Sequence, residues 1–341
     1  MHLPTVMIGP DGPRTTSLGI GCAGLFRVSS ASRRAHLLHT AYDAGIRHFD
    51  VAPMYGFGLA ERELGAFARR RRADLTIATK FGMRPTPVAR YLARVQGPIR
   101  NLVETRPQLR ERVRERAAGP AKGRVGRVLF TPEGYDASGA RKSLERSLNV
   151  MKTDYIDLLL LHDPLPGSVR SDEVAAYLED AQARGAIRSW GIAGEPEPTA
   201  AVARSFREQV PILQVRDDVL LKSLRRVPSG SGFITFGVIS GALPILTRHV
   251  TTDRSRRDRW YSEIGLDCGN PEVATSFLLR AAARENSRGV VLFYSVHPPR
   301  IRSAARVIAS AMMSDDPVLD AFLSLVDLEL RPVVGRQGRS G

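Results

Sequence analysis

Cysteine is nearly absent from this 341-residue chain, and acidic residues are too few to balance the basic ones. Its two cysteines, Cys22 and Cys268, stand far apart and in no CxxC or metal-ligand spacing. A disulfide framework is thereby excluded, and no metal is expected. His36, His39 and Asp43 have a loosely metal-like helical spacing, but an exposed polar helix face accounts for them better. No apolar run reaches the roughly 18 residues of a membrane span, and no charged amino-terminal region leads into an apolar signal core. A cytoplasmic protein with no membrane partner is expected. Internal repeats, coiled-coil heptads and an interdomain linker are also missing, so 1–341 reads as a single domain.

What is present is alternation. Strand-like runs fall at roughly 18–25, 46–52, 75–82, 155–162, 187–194, 212–217, 233–239 and 289–295, with helical patterns between them. Eight strands in alternation with helices predict an α/β fold, a (β/α)8 TIM barrel whose active site lies at the C-terminal ends of the strands. The segment TVMIGPDGPRTTSLG predicts an N-terminal hairpin turning at Pro10-Asp11-Gly12, placed to plug the barrel bottom. SRRAHLLHTAYDAG and ARKSLERSLNVMK predict helices, the second with Leu144, Leu148 and Met151 on one face.

Four polar residues stand where apolar runs end. Asp50 and Tyr55 occur in GIRHFDVAPMYGFGLAERELG, Lys80 closes LTIATKFG, and His162 follows the continuous run YIDLLLL, typical of a strand buried on both faces. A lysine at a buried strand end needs an anionic partner, and Asp50 is the obvious one. Together the four can reduce a carbonyl. A free tyrosine, with a pKa of about 10, is a poor acid, but an adjacent ammonium stabilises its phenolate. Asp50 would keep Lys80 charged, and a neutral His162 could donate a second hydrogen bond to the carbonyl oxygen as it gains charge. Hydride would come from a nicotinamide cofactor.

Two features point elsewhere. GIGCAG (19–24) matches GxGxxG, yet it lies within the first barrel strand and opens no helix, which argues against a phosphate-cradling Rossmann turn. Formal charge is +15, and residues 84–135 contribute a net +8 from twelve Arg or Lys against four Glu. This long basic insertion after strand 3 must begin and end on the catalytic rim. Its arginines are not interleaved with aromatics as a stacking surface for nucleic acid requires, so a solvated helical lid is the preferred reading. Residues 331–341 read as a flexible tail.

These motifs resemble the aldo-keto reductases: the Asp50/Tyr55 segment is similar to the family signature, ATKFG to its lysine motif, and SLERSLNVMKTDYIDLLLLHDP to its histidine motif. The wording of YDASGARKSLERSL and LLLLHDP is closest to the galactose and fucose (aldose) dehydrogenase branch. The resemblance implies a catalytic tetrad of Asp50, Tyr55, Lys80 and His162, with Tyr55 as general acid. It implies an extended NADP (or NAD) bound without a Rossmann fold, with cofactor-binding roles for Cys22, Asp50, Gln214, Phe236, Ser295 and Arg300. Gln214 would take the carboxamide, Phe236 would stack on the nicotinamide, and Ser295 with Arg300 would hold the 2′-phosphate. The implied substrate is a small carbonyl compound or sugar. Departures from the family pattern are Tyr294 in place of a basic residue, Ser303-Ala304 in place of Glu-Asn, and Ala193-Gly194 in place of Ser-Asn. They leave open a second reading, a nicotinamide-binding redox-sensing or interaction subunit.

Overall fold

The computed structural model describes residues 2–86, 130–311 and 315–331. A short antiparallel hairpin, β1 (Thr5–Met7) and β2 (Arg14–Thr16), precedes the barrel as expected. The barrel strands are β3 (Leu18–Gly21), β4 (His48–Asp50), β5 (Thr76–Phe81), β8 (Ile156–His162), β9 (Ile187–Gly194), β10 (Ile212–Arg216), β11 (Gly232–Phe236) and β12 (Val290–Phe293). They close in that order, each parallel to the next, with β12 returning to β3. The remaining two strands, β6 (Met83–Pro85) and β7 (Phe130–Pro132), pair antiparallel on the rim. This ribbon marks both ends of the basic insertion. The lid expected there falls on 87–129, and the tail on 332–341, both outside the described residues.

Helices follow the strands: α1 (Ala31–Asp43), α2 (Leu59–Ala68), α3 (Ala137–Met151), α4 (Ser171–Ala183), α5 (Pro196–Ala203), α6 (Ala242–Thr251), α7 (Arg254–Ile264), α8 (Pro271–Glu285), α9 (Pro298–Ser310) and α10 (Pro317–Leu325). Side-chain oxygens start several of them, with Ser30 accepting from the Arg33 N–H, Asp136 from Gly139 and Asn270 from Glu272, each satisfying a donor that the first turn leaves free. Two apolar layers result. Inside the barrel, Ala78, Leu158, Leu160, Ile212, Ile234 and Val290 meet the hairpin residues Val6 and Ile8. The hairpin therefore fills the bottom of the barrel. Outside it, the opposite strand faces pack on the helices. A second cluster around Trp260, Phe277 and Phe322 joins α6, α7, α8 and α10.

One boundary differs from the expectation for residues 18–25. The strand stops at Gly21, and Cys22–Arg27 turn into a 3-10 helix. A contact 270 residues away holds that turn: the Tyr294 hydroxyl donates to the Gly24 carbonyl at 2.7 Å. A Cβ on residue 24 would lie 1.9 Å from the Tyr294 ring. The third glycine of GxGxxG therefore makes room for a tyrosine, with no strand-turn-helix cradle around it.

Candidate active site

Because β-strand side chains alternate, Asp50, Lys80, Gln214 and His162 all point into the upper barrel from β4, β5, β10 and β8. Asp50 and His162 are the last residues of their strands. Tyr55 reaches the same place from the 3-10 turn Tyr55–Gly58, in which Gly56, Phe57 and Gly58 are all left-handed. The structure thus brings the four sequence-selected residues together.

Lys80 Nζ donates to both Asp50 oxygens at 2.7 and 2.6 Å and to the Val51 carbonyl at 3.2 Å. Gln214 Nε2 donates to Asp50 Oδ2 at 3.0 Å. Burial alone would pull the ammonium down, but Asp50 and Tyr55 outweigh it, and Lys80 sits above the ordinary lysine range. The ammonium lies 5.1 Å from the centre of the Tyr55 ring. The Tyr55 and His162 rings meet edge to face, with centroids 5.9 Å apart.

Burial raises the Tyr55 hydroxyl above its ordinary value, although Lys80 pulls the other way. The lysine was expected to bring tyrosine toward neutrality; desolvation is the larger effect. Burial therefore favours the protonated phenol of Tyr55 at neutral pH. His162 is pulled down to about 3, by burial first and by the Lys80 charge second. It is a neutral imidazole, as the hydrogen-bonding role requires. His48, two residues below Asp50, is likewise pulled down to about 3, and neither of its ring nitrogens has a partner among the described residues.

Above these residues opens a cleft of about 860 Å³ that runs to Ser295, Arg300 and Arg306. Asp50, Gln214, Phe236, Ser295 and Arg300 line it. Cys22 does not. Its side chain is fully buried in the core beneath the 3-10 turn, and only its neighbours Gly21 and Ala23 face the cleft. The thiol therefore does not face this cleft, and the structure does not bring Cys22 together with the other residues expected to bind cofactor.

The remaining residues fit a nicotinamide dinucleotide. Gln214 Oε1 is buried beside the cleft with no partner among the described residues, an acceptor suited to a carboxamide N–H. Phe236 offers an aromatic face. At the far end, Arg300 is exposed, and its guanidinium has no ion pair or hydrogen bond among the described residues, as a phosphate ligand requires. Polar residues overlooked in the sequence also line the wall: Asp163, and a Glu195–Arg216 pair at 2.9 Å. Asp163 carried a signal, a second charge directly after a seven-residue buried strand. Tyr135, whose hydroxyl donates to the His162 carbonyl, carried none.

Comparison with known proteins agrees with this fold. The model of the aldo/keto reductase family matches residues 17–217, the stretch from β3 to the end of β10. D-threo-aldose 1-dehydrogenase of a Pseudomonas species is 32% identical over 200 residues, 56% of this chain and 53% of that protein. Pyridoxal 4-dehydrogenase of Microbacterium luteolum is 31% identical over 159 residues, 46% of this chain and 42% of that protein. The chain thus spans about half the length of these curated relatives. Among solved structures, an aldo-keto reductase of Bacillus halodurans superposes with a TM-score of 0.66 over 95% of this chain and 96% of its own, at 17% identity, which speaks to the fold alone.

Proposed function

The chain belongs to the aldo/keto reductase family, and from that membership and the rim geometry we propose an NADP-dependent oxidoreductase of the aldose dehydrogenase type. It interconverts an aldehyde, ketone or sugar hemiacetal with the corresponding alcohol or lactone. One observation carries the reading: a buried Lys80–Asp50 pair beside a protonated Tyr55 and a neutral His162, all opening onto one cleft. The likeness to D-threo-aldose 1-dehydrogenase supports a sugar as substrate.

A bound nicotinamide supplies or accepts the hydride; the rest falls to the chain. Tyr55 gives its proton to the carbonyl oxygen as negative charge builds there. Lys80 stabilises the phenolate left behind, and Asp50 keeps Lys80 charged and aimed. His162 donates a second hydrogen bond to the same oxygen, in a site whose burial strengthens the interaction. In the oxidative direction the same tyrosine, as phenolate, takes the proton of the hydroxyl. Gln214 Oε1 and Phe236 would hold the carboxamide end of the cofactor, and Ser295 with Arg300 the 2′-phosphate.

The test is consumption of NADPH or NADH with short aldehydes and formation of either with aldoses. Arg300→Ala is expected to weaken NADPH binding by about tenfold or more, the scale of one charge-assisted contact, and NADH binding far less. Equal losses would remove the NADP assignment. Tight NADPH binding with no turnover of any carbonyl or sugar would favour the redox-sensing or interaction subunit instead.

A further inference from the structure

Directly after His162, Asp163 adopts left-handed backbone, with φ of 50°. Such backbone is costly for a residue with a side chain and persists where the surroundings over-determine it. Here the peptide joining His162 to Asp163 is held from both sides. The Tyr135 hydroxyl donates to the His162 carbonyl, and the Asp163 N–H donates to the Ala193 carbonyl at 2.7 Å.

The turn brings the Asp163 carboxylate to the wall of the cleft. Oδ2 lies 3.7 Å from His162 Nε2. Oδ1 and the Thr199 hydroxyl each lie 3.0 Å from the point where a Cβ on residue 194 would stand, so the glycine there lets the carboxylate pack close to the backbone without a clash. No donor reaches this carboxylate among the described residues, and its side chain is 58% exposed. The Glu195–Arg216 ion pair lines the same cleft and acts electrostatically on Asp163.

We propose that Asp163 is the specificity-determining residue for hydroxylated substrates, its carboxylate accepting a hydrogen bond from a hydroxyl on the carbon next to the reacting carbon. The inference rests on the reading of the chain as a carbonyl oxidoreductase, in which His162 Nε2 meets the reacting oxygen. A carboxylate 3.7 Å from that nitrogen stands one or two bonds along the substrate from that oxygen. The substrates it selects are α-hydroxyaldehydes and aldoses over plain aldehydes. Selection of this kind is strong because an acceptor built for a hydroxyl is left unpaired by an analogue that lacks one.

The experiment compares kcat/KM for glyceraldehyde and for propanal, which differ in hydroxylation, in wild type, Asp163→Gly and Asp163→Asn. Glycine keeps the left-handed turn at no steric cost and removes the carboxylate; asparagine keeps the turn and an uncharged acceptor. The glyceraldehyde-to-propanal ratio is expected to fall by about tenfold or more in Asp163→Gly, with Asp163→Asn between it and wild type. Effects exerted through Tyr55 or the cofactor fall on both aldehydes and cancel in the ratio. An unchanged ratio in an enzyme that turns over both aldehydes overturns this inference alone. Absence of wild-type turnover with either, and with aldoses, overturns the functional reading and this inference with it.

Discussion

Two buried ion pairs sit at opposite ends of the barrel, and their surroundings set them apart. At the base, Asp157 near the start of β8 takes Arg72 at 2.7 Å and the Ile77 N–H at 2.9 Å on one oxygen, and Arg188 at 3.2 Å on the other. Both guanidinium groups lie over the Tyr155 ring, at 3.8 and 4.6 Å from its centre. Each of these charged groups has a partner, and together they tie β5, β8 and β9 to one another. At the rim, Asp50 and Lys80 are more thoroughly buried than the base arginines, yet Gln214 Oε1 is without a partner among the described residues and Tyr55 and His162 face a cleft. Burying a charge pair does not make a site. Reactivity arises where the satisfied pair supports groups left incomplete beside a cavity.

The contrast can be broken most decisively at the rim. Tyr55→Phe and Lys80→Met are each expected to lower turnover by about 100- to 10,000-fold, the range of general acid catalysis, while circular dichroism and cofactor binding stay close to wild type. Near wild-type turnover in either variant would end the proposed mechanism.

At the base the effects should be reversed. Asp157→Ala strands Arg72 and Arg188 and is expected to cost about 2–4 kcal/mol of stability, toward the lower side of what breaking a buried pair costs because the arginines are partly exposed. Urea unfolding would measure it. Turnover per folded molecule should not change, and a large kcat loss would show that the two ends are coupled.

The smallest effect, and the one that sharpens the comparison, is in pH. With Tyr55 above its ordinary value, the protonated acid dominates throughout the neutral range, so carbonyl reduction should be flat from about pH 6 to 8. Oxidation needs the phenolate, whose share grows about tenfold per pH unit below the pKa. The oxidative rate should therefore climb through the alkaline range. An oxidative optimum at neutral pH would mean that Lys80 outweighs burial.

Legibility in the sequence was uneven, for reasons that particular residues make plain. YIDLLLLHDP announces a strand and its reactive end because a strand in a parallel barrel is buried on both faces and can afford polarity only where it stops. The same logic located Asp50 and Lys80. Cys22 was carried over from the family pattern, but the turn of Cys22–Arg27 sends its thiol into the core. Gly24 completes a GxGxxG match that its setting within a strand argued against as a phosphate loop, and only the structure shows that it admits Tyr294. The left-handed turn at Asp163 left no local trace at all, because Tyr135 and Ala193 hold it from other parts of the chain.

By itself, then, the sequence determined the eight-strand alternation, the N-terminal hairpin and the identity of the four polar residues that meet at the rim. Each is a matter of side-chain type against a local period, and local periods survive without knowledge of the fold. Only the tertiary structure decided the protonation states of Tyr55 and His162, the close approach of Asp163 to Gly194 and the aim of Asp163. Those depend on desolvation and on contacts between residues tens to hundreds of positions apart, which exist only once the barrel has closed.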